Sequence, residues 1–149
     1  MTVPTAMKAQ LHFEDVEVGA QIPQLVNVPT SVSLFRFSAV TWNAHRIHYD
    51  RDFALSDGHP DILVQAHLHG VYLTRMVMDW IAPRGRLLSI EWKNLARAYP
   101  LDTLTCTGTV TEKVRDGDQK NVMLDLVEIN QRGETCVSGS AIVALPLRD

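Results

Sequence analysis

The stretch from Leu63 to Ile81 constrains this chain more than any other. Leu63, Val64, Leu68, Val71, Tyr72, Leu73, Met76, Val77, Trp80 and Ile81 leave it almost no polar face, and a helix that is apolar nearly all round belongs inside a core. Pro83 and Gly85 stop it. Something must wrap such a helix, and the chain supplies it at once. Beyond Arg86 come four runs rich in Thr, Val, Leu and Ile, at Arg86 to Ala98, Asp102 to Val114, Lys120 to Asn130 and Glu134 to Leu147. Alternation is clearest over Thr103 to Val110, and the separators are Tyr99 to Asp102, Asp116-Gly117-Asp118 and Gln131-Arg132-Gly133. Successive strands joined by short turns pair antiparallel.

The first sixty residues are less regular. Gly19 and Pro23 punctuate them, Leu25 to Val28 suits a short strand, and Pro29 and Thr30 end it. Val32, Phe35, Ala39, Val40 and Trp42 then recur at amphipathic spacing, which predicts a short helix from Ser31 with Thr30 as N-cap. Asn43 to Asp61 is polar and rich in His, Arg and Asp, a functional loop with one helical turn near Arg51 to Leu55. One long apolar helix, an early strand and four late ones give an α+β layout, a single hotdog in which a curved antiparallel sheet wraps one long buried helix. One helix on one sheet leaves an edge and apolar surface uncovered, so pairing of two units is expected.

Composition narrows the rest. A chain of 149 residues is the size of one domain, taken here as residues 1–149. Hydrophobic residues at 46% and charged residues at 21% exclude a disordered, collagenous or coiled-coil chain. Fourteen basic against 17 acidic side chains, with no basic cluster, argue against a nucleic-acid partner. No apolar run reaches the roughly 20 residues of a membrane helix, and Met1 to Gln10 offers a lone Lys8 and no apolar leader. A cytoplasmic protein with no membrane partner is the expectation. Cys106 and Cys136 have no metal-type spacing and read as reduced core or sheet residues.

Chemistry-bearing residues concentrate in Phe37-Ser-Ala-Val-Thr-Trp-Asn-Ala-His-Arg-Ile-His-Tyr-Asp-Arg-Asp-Phe-Ala54. This stretch resembles the signature of the MaoC-like (R)-specific enoyl-CoA hydratases and 3-hydroxyacyl-thioester dehydratases, roughly Ser-Gly-Asp-x-Asn-Pro-x-His. Asn43 falls where that family has its catalytic Asp, five residues before His48, and His45 and Arg46 replace the Asn-Pro. The resemblance is closer to the branch of mitochondrial-type dehydratases and mesaconyl-type hydratases, which carry Asn-x-His-Arg-Ile-His-Tyr-Asp. Leu63-Val-Gln-Ala-His-Leu68 is similar to the family's Val-(His/Gln)-Gly-x-Leu, with Ala66 at the usual glycine. Tyr99-Pro-Leu-Asp-Thr-Leu104 is similar to its Pro-Gly-Asp-Thr-Leu strand entry, with Leu101 at the glycine.

The resemblance implies reversible hydration of a 2-enoyl thioester, carried by coenzyme A or acyl carrier protein, with no metal or organic cofactor. Such a reaction needs a base for water, a proton for C2 and donors for the charge on the thioester oxygen. His48 exchanges protons near neutral pH. Asn43 is no base, but its amide can orient the water. Five residues of continuous helix would set the two roughly 140° apart, so their convergence requires a loop after Trp42. The oxyanion donor is expected at the N-H of Ala66, where a helix start favours negative charge. Arg46 and Arg51 are either surface cations or contacts to coenzyme A phosphates. Arg36, Gln65, His69 and Tyr72 are candidates for lining a polar acyl pocket. His45-x-x-His48 and His67-x-His69 lack a third ligand, and the second pair points to different helix faces. Asp50 either orients the loop or caps the following turn.

Two other readings stay open. A hotdog thioesterase places a carboxylate on or near the central helix, and Asp57, Asp61 and Asp79 are the nearby acids. A non-catalytic acyl-binding subunit of a heteromeric dehydratase is the other, kept open by Asn43 in place of Asp. A homodimer is the simplest assembly, and a heteromer with a second hotdog subunit the alternative.

Overall fold

The computed structural model describes residues 9–117 and 119–148. The expectations for the first eight residues and for Asp118 in its turn lie outside them. The chain runs through a 3-10 turn at Phe13–Asp15, β1 (Leu25–Asn27), α1 (Ser31–Thr41), a second 3-10 turn at Arg46–His48, α2 (Arg51–Ser56) and α3 (Ala66–Ile81). Then follow β2 (Arg86–Asn94), β3 (Leu104–Asp116), β4 (Gln119–Ile129) and β5 (Thr135–Ala144). The five strands form one antiparallel sheet in the order β1-β3-β4-β5-β2. It is the α+β arrangement expected, a curved sheet against the long helix.

Alternation decides which side chains meet that helix. Val110, Leu124, Ala141 and Ile90 stand in register across β3, β4, β5 and β2, and the first three are buried. They face Leu73, Met76, Val77 and Ile81 of α3, which belong to the same apolar cluster. A fully buried side chain of this kind contributes roughly 1.5–3 kcal/mol relative to an exposed one. The next rung holds Gly108, Leu126, Gly139 and Trp92. Here the Trp92 indole lies against Gly70 of α3, where a Cβ would stand 2.2 Å from the ring. Trp92 Nε1 donates to the Ala66 carbonyl at 3.2 Å, tying β2 to the first turn of the helix. Cys106 and Cys136 are free and buried.

Several expectations are corrected. Leu63 to Gln65 precede α3 rather than open it, because Leu63 N–H bonds to Ile47 O and Val64 N–H to Ala98 O, both at 2.9 Å. Apolar side chains cannot distinguish buried extended backbone from buried helix. The helix is also not enclosed all round, since Val71 and Met78 are exposed on one face. Thr30 caps α1 with Ser33 as its reciprocal partner, as expected. The expected apolar face of α1, however, points outward: Val32, Phe35, Val40 and Trp42 are exposed, while Leu34 and Ser38 are buried.

Candidate functional site

The polar loop begins where α1 stops. Trp42 takes a left-handed conformation with φ 53°, and the Asn43 N–H turns back to the Ser38 carbonyl at 3.0 Å. This is the break that the spacing of Asn43 and His48 requires. The Asn43 Oδ1 then accepts the His45 N–H at 3.2 Å. With its oxygen accepting from that donor, the amide keeps its two Nδ2 hydrogens as donors. The His45 carbonyl accepts the His48 N–H at 3.2 Å, and the His45 ring stands edge-on to that of His48, with centroids 5.9 Å apart. One short loop therefore links Asn43 to His48 through His45.

His48 is nearly buried, at 9% exposure, and its Nδ1 lies 2.9 Å from the Leu63 carbonyl. A carbonyl only accepts, so Nδ1 carries the hydrogen and the neutral ring holds its lone pair on Nε2. Burial pushes the His48 pKa below its usual value, the Leu63 carbonyl opposes that shift, and His45 adds to it. The ring is thus neutral at pH 7. Leu63 also donates its N–H to Ile47, so His48 is clamped to the strand-like segment leading into α3. Three residues separate Leu63 from Ala66, at most about 10 Å of chain. Ala66 is exposed, and the first N–H groups of a helix have no intrahelical acceptor. The His48 ring and the exposed start of α3 therefore share one neighbourhood.

Most of the other sequence candidates are engaged by partners within the chain. Arg46 makes two bonds to Asp50, at 3.0 and 2.6 Å, and its guanidinium lies over Phe53 at 4.6 Å. Asp50 also accepts the Phe53 N–H at 3.1 Å, so it both orients the loop and caps α2. Arg51 pairs with Asp61 at 3.3 Å. Gln65 lines no open pocket: it is fully buried, and its Nε2 donates to the Leu34 carbonyl at 2.7 Å and to Ser38 Oγ at 2.9 Å. It is a strut between α1 and the start of α3, and its Oε1 has no partner among the described residues.

His69 is likewise corrected as a pocket residue. It is buried beneath α3 with Nδ1 2.5 Å from Glu128 Oε1 on β4, and Cys106 Sγ lies 3.5 Å from the other carboxylate oxygen. Burial, Glu128 and Cys106 together push the Tyr72 hydroxyl up to about 12. Arg36 is exposed on α1, and His67 and His69 point oppositely, one exposed and one buried. Sequence reasoning passed over Glu128, although it stood out. It occupies an inward position in the alternation Val122, Leu124, Leu126, Glu128, where a carboxylate has to find a buried partner.

The acids that a thioesterase reading requires are occupied or remote. Asp57 lies 3.4 Å from His59 Nε2, Asp61 holds Arg51, and Asp79 pairs with Arg75 a turn away at 3.6 Å. None of them lies in the first turn of α3.

Comparison with known proteins places this geometry in context. Residues 8–100 match the family described as hydroxyacyl-thioester dehydratase type 2. The chain is 30% identical over 132 residues to the 3-oxo-4,17-pregnadiene-20-carboxyl-CoA hydratase beta subunit of Mycobacterium tuberculosis, covering 89% of this chain and 97% of that protein. It is 50% identical over 50 residues to a mesaconyl-C(4)-CoA hydratase of Chloroflexus aurantiacus, a match spanning 33% of this chain and 18% of that one. Among solved structures, a chain of the ChsH1-ChsH2 complex from Mycobacterium tuberculosis superposes with TM-score 0.77 at 28% identity, over 87% of this chain and 98% of that one. The R-hydratase PhaJ1 of Pseudomonas aeruginosa superposes with TM-score 0.84 at 19% identity, over 93% and 88% of the two chains.

Proposed function

Because this chain belongs to the hydroxyacyl-thioester dehydratase type 2 family, a hydratase and dehydratase family of hotdog fold, we propose that it catalyses the reversible hydration of a 2-enoyl thioester to the 3-hydroxyacyl thioester. The observation that carries the reading is the bond from His48 Nδ1 to the Leu63 carbonyl, which leaves Nε2 as a neutral base beside the start of α3. Asn43 Nδ2 holds the oxygen of a water. His48 Nε2 takes a proton from that water as its oxygen bonds to C3, and returns it to C2 as the enolate collapses. The Ala66 N–H, at the positive end of α3, carries the charge on the thioester oxygen between those events. Dehydration is the same path reversed. The reaction is redox-neutral, and each step is served by a group of this chain. Coenzyme A or acyl carrier protein bears the acyl group.

The test is to follow loss of enoyl absorbance with crotonyl-CoA and mesaconyl-CoA, for the parent and for His48→Ala, while monitoring free thiol. Hydration by the parent and its loss in the variant support the reading. Thiol release without hydration would make the protein a thioesterase. Activity of His48→Ala within tenfold of the parent would remove His48 from its role.

One observation favours a second reading. The relative matched over most of both chains is named as a beta subunit, and a similar fold occurs in a two-protein complex. On that reading this chain completes a heteromeric hydratase and is active only with a second hotdog subunit. Inactivity alone and turnover after addition of such a subunit would establish it.

A further inference from the structure

The apolar stripe of α1 is exposed, and it ends at the proposed site. Val32, Phe35 and Ala39 fall within an arc of about 60° at 100° per residue, centred roughly a quarter-turn or more round the helix from the buried Leu34 and Ser38, and Trp42 follows at the C-cap. Beside the end of that stripe lies a groove of about 400 Å³ lined by Phe35, Ser38, Ala39, Trp42, Asn43 and Tyr49. Its aromatic walls are set in place from within the chain. Phe35 and Tyr49 meet edge to face with centroids 6.5 Å apart, and the Tyr49 hydroxyl donates to the Ala44 carbonyl at 2.9 Å. Trp42 is different. It is 92% exposed and occupies the left-handed region, which costs a bulky residue roughly 1–2 kcal/mol. The left-handed turn itself closes the C-cap of α1 through the Asn43 N–H on the Ser38 carbonyl, and it leaves the indole exposed immediately before Asn43.

We propose that this groove binds the acyl part of the thioester, and that its preferred occupant is a flat, apolar ring system rather than a short linear chain. The inference rests on the hydratase reading, because it takes Asn43 as the wall shared with the reacting end of the substrate. Aromatic walls favour flat faces, which stack or meet them edge-on with about 0.5–1.5 kcal/mol beyond area burial. The volume lies within the range of pockets for ring-sized ligands, roughly 300–1,000 Å³, and a four-carbon acyl group leaves most of it empty. A protein partner seated in the groove would cover Asn43 and shut out substrate. The shared wall therefore selects a ligand over a subunit.

Binding is measured by calorimetry with two unreactive thioesters, butyryl-CoA and 2-naphthoyl-CoA, so that no turnover is required. The parent is expected to bind the naphthoyl thioester about tenfold more tightly, the size of one good aromatic contact. Phe35→Ala is expected to collapse that preference. Val40→Ala, exposed on α1 but outside the groove, is expected to keep it. Equal affinity of the parent for both thioesters overturns the proposal, as does a preference that survives Phe35→Ala. Sedimentation of the same variants supplies the competing outcome: a Phe35→Ala protein that loses self-association while keeping its preference assigns the groove to a partner. Crotonyl-CoA hydration without ring preference would sink this inference and spare the hydratase reading. Ring preference without hydration would do the reverse.

Discussion

His48 owes its tautomer to one carbonyl and its charge state to burial. Its free-imidazole pKa is about 6.5, and the folded value lies below that because desolvation penalises the imidazolium. A base must be neutral to accept a proton, so the acid limb of kcat/KM is expected below pH 6.5, and a limb above it would contradict the burial argument. The stability consequence has a definite sign. As pH falls through 6.5 the unfolded chain takes up this proton before the folded one does, so folding weakens between 6.5 and the lower folded value. His48→Gln is expected to flatten denaturant midpoints across that window. At Asn43, the amide oxygen holds the His45 N–H, and the proposed mechanism assigns the reacting water to its nitrogen. Asn43→Ala is expected to lower kcat about 100-fold through lost orientation, with Asn43→Asp retaining activity. Single-turnover rates with crotonyl-CoA decide both, and an unchanged Asn43→Ala rate would make the residue a bystander.

Among the elements, the turn entering β3 carries a departure that was visible in the chain itself. Leu101 stands where the family pattern has glycine, and its φ is 69°. The turn is held by the Leu101 N–H on the Pro29 carbonyl at 2.7 Å and by the Tyr99 N–H on Asp102 Oδ2 at 2.9 Å. Leu101 is 71% exposed, so its side chain adds little packing. Leu101→Gly is expected to relieve the left-handed strain by more than the flexibility it introduces, a gain of roughly 0.5–1 kcal/mol. That corresponds to a Tm rise of about 1–4 °C for a domain of this size, read by calorimetry. A fall in Tm would show that the side chain matters more than the backbone. At α3 the converse holds. Gly70 is where the helix meets the Trp92 ring, and Gly70→Ala is expected to cost about 1–3 kcal/mol through overpacking, despite its better helix propensity.

In the whole molecule, β2 is an edge of the sheet, and beside it α3 exposes Val71 and Met78. Leu88 on β2 is exposed as well. Among the described residues that nine-residue edge has no strand on its outer side, and with an apolar helix face beside it makes a surface that folded proteins normally cover. A two-fold pairing through β2 would extend the sheet and bury both. Leu88→Lys is expected to shift the protein toward monomer in sedimentation at micromolar concentration, and a monomeric parent would instead point to a different second subunit. Leu88 lies outside the Asn43 groove, so this prediction and the ligand proposal stand or fall separately.

The local readings came from the chain alone, because they depend on near neighbours. The cap at Thr30, the helix stop before Asn43, the antiparallel runs after Arg86 and the Asn43–His48 loop follow from periodicity, turn residues and motif spacing. Which neighbour each face would meet was a tertiary decision. The amphipathic pattern of α1 reads the same whether its stripe packs inward or faces outward, and only the packing of Leu34 and Ser38 turned it outward. Leu63 to Gln65 read as helix until Ile47 and Ala98 claimed their amides. Gln65 and His69 looked like pocket residues because a polar side chain near a site has two ways to be satisfied. Leu34 and Ser38 from α1 took the first inside the chain, and Glu128 from β4 the second. Those partners lie 27 to 59 residues away in sequence, beyond the reach of any local pattern.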